Sequence, residues 1–244
     1  MYKSRMELAK DALDIGIFTN NLDAMRAFYG ERIKLPYEEM LPVGGGVRQY
    51  RYGLLGSVLK INHSRDALPA RVLGGYSRLI IAHGDATSCT SMTDPDGNQL
   101  ELGPSGYSGI NQVGLHLGVT SEADFEHFYG VVLQAEKLAP RRYRIGKTVL
   151  SFEKDSSARR SDRSASQSPA EVMMSMRGTG IRYFTIQVRD CSATFAHAMA
   201  NSAWEGSRPV TLGEVARICF IRDPDGNWIE ISQRASLTGP LPKD

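Results

Sequence analysis

Apolar and polar residues alternate along most of this chain in short runs, the period of strands with one face buried. Residues 13–19 (LDIGIFT) open the series. The spacing then turns helical over 22–30 (LDAMRAFYG), with Leu22, Met25, Phe28 and Tyr29 on one side and Gly30 as the breaker. Asn20 and Asn21 stand where a helix cap is expected. Alternation returns at 39–41, 47–52 and 57–63, divided by Gly44-Gly45-Gly46 and by the glycine-flanked turn at 53–56. One strand, one helix and three strands make a βαβββ unit.

The unit recurs. Residues 113–119 (VGLHLGV) predict a strand, Ser121 and Asp124 have the form of a capping box, and the next helix again ends in Phe128-Tyr129-Gly130. Strands are expected at 143–145 and 148–153, where TVLSFEK matches SVLKINH by pattern. A further unit runs through a strand at 181–188, a helix at 193–203 and strands at 210–212 and 216–221. Between these, 78–82 (RLIIA) is followed by too few residues before Asp94 for a helix plus a strand. The pattern predicts four modules, the second cut down.

A repeated stretch closes the second and fourth modules. Asp94-Pro95-Asp96-Gly97-Asn98 and Asp223-Pro224-Asp225-Gly226-Asn227 are tight turns, in which Pro presets φ and Gly takes a position that strains other residues. Each runs into a short strand where one carboxylate, Glu101 or Glu230, stands between two apolar residues and projects to the opposite face. Such a carboxylate can bind a metal or act as a base. A solvent-facing Glu on an edge strand is the plainer alternative.

Paired βαβββ modules, FYG-ended helices and two DPDGN-x-[LI]-E-[LI] motifs resemble the vicinal oxygen chelate superfamily. That group includes glyoxalase I, type I extradiol dioxygenases, methylmalonyl-CoA epimerase and the bleomycin-resistance binding proteins. The resemblance spans residues 13–232 and implies an α+β fold of four tandem βαβββ modules, forming two half-barrel domains at 1–106 and 107–244. It also implies a divalent metal (Fe, Mn, Zn or Ni), held from the first and last strands of the modules. In the first half those places fall near Asp14, Lys60, Arg78 and Glu101. In the second they fall near Gly114, with His116 two residues on, Ser151, with Glu153 two on, Tyr183 and Glu230.

Two cations beside two carboxylates suit salt bridges, or the grip on a substrate carboxylate, better than a metal. The first half is therefore read as a structural partner and the second as the active half. On this reading His116, Glu153 and Glu230 ligate the metal, while Tyr183, His116 and Glu230 do the chemistry. Ser151 and Arg144 then contact the substrate together with Asp14, Lys60, Arg78 and Glu101; Arg144 belongs to a local basic cluster with Arg141 and Arg142. An extradiol iron site needs two His and one Glu, and Tyr183 stands where the second His is expected.

Composition narrows the partners. Basic residues number 29 and acidic ones 27, which gives no electrostatic case for nucleic acid or an anionic membrane. No apolar run approaches membrane-spanning length, and residues 1–10 lack an apolar signal core. Three cysteines without a CxxC pair fit free thiols in a reducing cytoplasm. No P-loop or nucleophile elbow occurs, so no nucleotide cofactor is expected. Residues 154–170 (KDSSARRSDRSASQSPA) are expected to form a mobile loop, either a linker or a lid.

A small-molecule substrate and a monomer of two domains, or a homodimer, complete the expectation. The leading reading is a metal-assisted proton-transfer, lyase or isomerase enzyme acting on an oxygenated organic molecule. The alternatives are a metal-independent acid–base enzyme, a non-catalytic binder of aromatic or antibiotic-like compounds, and an extradiol dioxygenase.

Overall fold

The computed structural model describes residues 6–70, 75–84, 86–159 and 174–242. The first module is β1 (Asp14–Thr19), α1 (Leu22–Arg26), β2 (Tyr37–Gly44), β3 (Val47–Leu54) and β4 (Ser57–Ser64). The second is β5 (Gly75–Ala82), β6 (Thr90–Thr93) and β7 (Gln99–Gly103), with no helix among the described residues. The third is β8 (Val113–Val119), α2 (Glu122–His127), β9 (Glu136–Ala139), β10 (Arg142–Ile145) and β11 (Thr148–Lys154). The fourth is β12 (Gly180–Gln187), α3 (Cys191–Ala200), β13 (Trp204–Leu212), β14 (Ala216–Arg222) and β15 (Trp228–Arg234). Residues 160–170 of the expected loop lie outside the described residues, and Lys154 closes β11. No helix among the described residues is long and apolar enough to cross a membrane.

Two mixed sheets result. The eight-stranded sheet runs β13-β14-β15-β12-β1-β4-β3-β2, and the seven-stranded sheet runs β6-β7-β5-β8-β11-β10-β9. Within the first module β1 lies parallel to β4, which leaves the other edge of β1 open. β12 fills that edge antiparallel, with Asp14 opposite Thr185 and Gly16 opposite Tyr183. β5 and β8 form the equivalent seam, with Arg78 opposite His116. The outer modules therefore share one sheet and the inner modules the other. A boundary at 106/107 does not separate the sheets, because it falls between β7 and β8 of the same one.

One continuous hydrophobic cluster joins the apolar faces of both sheets to the helices, from Ile15, Ile17 and Leu59 across to Leu79, Leu115 and Leu150. α1 and α2 each pass into a single π-helical turn, Ala27–Arg32 and Phe128–Val132, which buries Tyr29 and Tyr129. α2 is capped as its sequence suggests, Ser121 Oγ accepting from the Asp124 amide. α1 is not: the Asn21 side chain makes no cap bond, and the Asn20 amide donates instead to the carbonyls of Ser64 and Asp66.

The repeated turns are closed from inside. Asp94 accepts from the amides of Asp96 (3.0 Å) and Asn98 (2.8 Å), from Asn98 Nδ2 (2.7 Å) and from Tyr29 Oη (2.8 Å). Asp223 accepts from the Asp225 and Asn227 amides and from Asn227 Nδ2 in the same way. The turns also tie the sheets together: Asn98 Oδ1 accepts from the Ile181 amide at the start of β12, and Asp225 from the Thr120 amide after β8.

Burial pushes the Asp223 carboxyl up to about 7, against the donors of its turn. The folded state thus holds this proton more tightly than the unfolded chain does. The stability it contributes is full below the unfolded pKa of about 3.9 and is lost as pH rises through about 7. Asp223→Asn is expected to flatten the decline in stability over that window, measured by urea denaturation at stepped pH. An unchanged slope would exclude Asp223 as its source.

Candidate functional site

Alternation along the central strands sorts each into a core face and a face turned to the opposite side of the sheet. On β1 the apolar Ile15 and Ile17 enter the core, while Asp14, Gly16 and Phe18 face the other way. Lys60 and Asn62 of β4, Tyr183 and Thr185 of β12, and Glu230 of β15 share that second face by register. Their side chains meet. Lys60 Nζ donates to Glu230 Oε2 at 2.8 Å and to Thr185 Oγ1 at 2.6 Å, and lies 4.0 Å from Asp14 Oδ2. Thr185 Oγ1 donates to the same Glu230 oxygen at 2.6 Å.

The cluster is buried. The side chain of Lys60 is 3% exposed and that of Asp14 1%, whereas Glu230 reaches 12% and is the outermost of the three. Burial alone raises a carboxyl pKa, but Lys60 and Lys10, with a bond from Gln187, bring Asp14 below its ordinary value. Lys10 Nζ donates to Asp14 at 2.6 Å and also borders a cavity of about 400 Å³ lined by Leu35, Pro36, Gly53 and Leu54.

Tyr183 forms the adjoining wall. Its ring crosses the β1 backbone so closely that a Cβ on Gly16 would sit 2.1 Å from Tyr183 Cε1, so only glycine fits there. Tyr183 Oη accepts from Asn62 Nδ2 (3.2 Å) and Gln49 Nε2 (3.5 Å), and its ring lies 5.5 Å from Lys60 Nζ. Burial, then the charge of Glu230, raise its pKa far above the ordinary tyrosine value, so the phenol keeps its proton. Phe18, Val47, Met176, Phe220 and Trp228 pack with Tyr183 in a buried apolar cluster.

The seven-stranded sheet carries a second polar row on the corresponding face. Arg78 Nη1 donates to Glu101 Oε1 at 2.7 Å. His116 Nδ1 lies 2.9 Å from Ser151 Oγ, and His116 Nε2 lies 3.3 Å from Glu153 Oε1. Arg144 is taken up by Glu136 through bonds of 2.7 to 3.0 Å at the exposed end of the sheet.

These placements divide the residues singled out from the sequence. Tyr183, Glu230, Asp14 and Lys60 come together on the eight-stranded sheet. His116, Glu153, Ser151, Arg78 and Glu101 come together on the other. The expected ligand trio is therefore split, since Glu230 does not share a sheet with His116 and Glu153. Each polar row draws on both halves of the chain. Thr185, Asn62 and Gln49 were missed. Thr185 and Asn62 stand two residues beyond Tyr183 and Lys60, a strand-period signal that points to them. Cys191 and Cys219 also converge, with Sγ atoms 3.6 Å apart, and both are free thiols.

No protein-family model matches the chain, and no curated protein does. Solved structures do. Glyoxalase I from Zea mays is 14% identical with a TM-score of 0.68, covering 94% of this chain and 92% of that one. A dioxygenase-like protein from Bacillus subtilis subsp. subtilis str. 168 is 12% identical with a TM-score of 0.63, covering 95% and 86%. The cppA protein from Streptococcus pneumoniae TIGR4 is 10% identical with a TM-score of 0.52, covering 93% and 99%. The chain has the vicinal oxygen chelate fold. In a vicinal oxygen chelate half-barrel the metal is expected between the first and last strands of two paired modules. Those places are held here by Asp14, Lys60, Tyr183 with Thr185, and Glu230 in one sheet. Arg78, Glu101, His116 and Ser151 hold them in the other.

Neither set fits a divalent ion. In each, one place holds a cationic side chain already bonded to the motif glutamate, Lys60 to Glu230 and Arg78 to Glu101. An ammonium or guanidinium has donors only and cannot ligate a metal. Among the described residues no group of three or more His, Cys, Asp or Glu side chains is arranged to hold one.

Breaking the buried pair leaves an uncompensated charge, at a cost of about 3–5 kcal/mol. Lys60→Met is therefore expected to destabilise the protein by that order in urea denaturation. Lys60→Met combined with Glu230→Leu is expected to recover most of the loss. A double variant as unstable as the sum of the singles would contradict the pairing.

Proposed function

We propose that the chain is a metal-independent enzyme of acid–base chemistry, acting on a small oxygenated organic molecule at the polar face of the eight-stranded sheet. One observation carries this reading: the Lys60 ammonium stands among the ligand-equivalent places, 2.8 Å from Glu230 and 2.6 Å from Thr185. The positive charge that a metal supplies in this fold is thus provided by the chain itself. A fixed ammonium in a water-poor site stabilises negative charge developing on a substrate carbonyl or enolate oxygen. Glu230, the outermost carboxylate, is placed to take and return a proton on the neighbouring carbon. Tyr183, protonated and accepting from Asn62 and Gln49, has its own O–H to donate to a second substrate oxygen.

A binding-only reading is favoured by the buried aromatic cluster of Phe18, Phe220 and Trp228 beside the polar face, whose rings would suit a flat apolar ligand. The extradiol reading needs two histidines, and none of the bonds formed by this polar cluster involves a histidine.

The deciding assay follows solvent deuterium exchange by NMR at carbons next to the carbonyl in a panel of 2-oxo acids and hydroxyketones. Exchange is expected to survive chelation and to fall about a hundredfold or more in Glu230→Gln. Exchange that disappears on chelation and returns with added Mn(II), Zn(II), Fe(II) or Ni(II) would overturn the metal-independent mechanism. Ligand binding without exchange would favour the binder.

A further inference from the structure

β8 reads Val113-Gly114-Leu115-His116-Leu117-Gly118-Val119, with its Leu and Val side chains in the core. On the other face His116 is the one side chain beyond Cα from Gly114 to Gly118. The flanking glycines are required by what packs on them. A Cβ at Gly114 would lie 2.4 Å from Ile110 Cδ1, and one at Gly118 would lie 2.6 Å from Asp155 Oδ2. The imidazole is therefore walled along its own strand, and it reaches across to β11. There Ser151 sits directly opposite in register, with Glu153 two residues on along the same face. One ring nitrogen meets the Ser151 hydroxyl at 2.9 Å and the other meets the Glu153 carboxylate at 3.3 Å.

Cross-strand polar pairs are common, but this one has three parts in sequence: a hydroxyl, a base, and a carboxylate on the far side of the base. That is the arrangement by which a weak nucleophile is activated. The row is flanked in register by two guanidinium side chains, Arg142 opposite Ser151 and Arg78 opposite His116. One step along the sheet, Ile80, Ile110 and Val149 form a small apolar cluster. Glu153 is 65% exposed and Ser151 and His116 are half-buried, so the hydroxyl is reachable from solvent.

We infer that Ser151, His116 and Glu153 form a nucleophile–base–carboxylate relay on the seven-stranded sheet, which acts on a small ester. This site is independent of the one on the eight-stranded sheet. Ser151 Oγ attacks the ester carbonyl carbon while its proton passes to His116 Nδ1, and Glu153, 3.3 Å from Nε2, offsets the charge of the imidazolium. The bond from carbonyl carbon to alkoxy oxygen then breaks, and the departing alkoxide takes the proton back from His116. Water, deprotonated by His116 in the same way, attacks the acyl-serine, releasing the acid and restoring the Ser151 hydroxyl. The acyl part lies on Ile80, Ile110 and Val149, and Arg78 or Arg142 meets the oxyanion.

The test is covalent capture. The full chain is incubated with an alkyl fluorophosphonate and mapped by peptide mass spectrometry. A single adduct on Ser151 is expected, absent in Ser151→Ala and formed about a hundredfold or more slowly in His116→Gln. Glu153→Gln, at an exposed position, is expected to slow labelling several-fold without changing the melting temperature. p-Nitrophenyl acetate is expected to give a burst equal to the enzyme concentration. No adduct on Ser151, or an adduct formed at the wild-type rate in a folded His116→Gln protein, would overturn the relay.

Discussion

Everything on the two polar faces depends on the seams where first strands of different modules pair, β1 with β12 and β5 with β8. A single module leaves its first strand with one unpaired edge, and an open edge in the middle of a hydrophobic sheet cannot be left to solvent. The seams close those edges, and the β1–β12 seam sets the partner of Glu230. Glu230 meets Lys60 from the other end of the chain, while Glu101 meets Arg78 within its own module. Had the modules paired in sequence order, Glu230 would face the row of His116 and Ser151. The charge balance of the eight-stranded face follows from the pairing.

Much of this architecture was legible beforehand. The DPDGN turns, the alternation of β1, β4, β8 and β12 and the shortened second module could all be read locally, because turn chemistry and strand period are local properties. β9 escaped notice because all four of its residues are exposed, which removes the alternation that would mark it. The residues singled out from the sequence fall into two rows on different sheets, a division that the sequence did not reveal. Which residue faces which across a sheet depends on the pairing of strands from different modules, and no local pattern encodes it. Tyr183 illustrates the point. Its place on β12 could be read, but its packing across Gly16 of β1 could not.

The two glutamates share a motif and a fate. Each emerges from a DPDGN turn onto a strand, and each is met at 2.7 or 2.8 Å by a cation of the chain. The settings differ in burial, Lys60 being enclosed while Arg78 is half-buried, so the first pair is the more shielded from water. In both rows the carboxylate of the repeated motif is thus neutralised by a cation of the chain itself.

The nesting of the sheets has a bearing on how the chain is made. The inner modules complete the seven-stranded sheet by Lys154, when the C-terminal module has yet to leave the ribosome. β1 must meanwhile wait, its edge unpaired, for β12 to arrive. The outer sheet is therefore a long-range closure, around an inner sheet that needs no later strand. Lys60 and Glu230 meet only once the outer modules have paired, which makes their bond a mark of that closure.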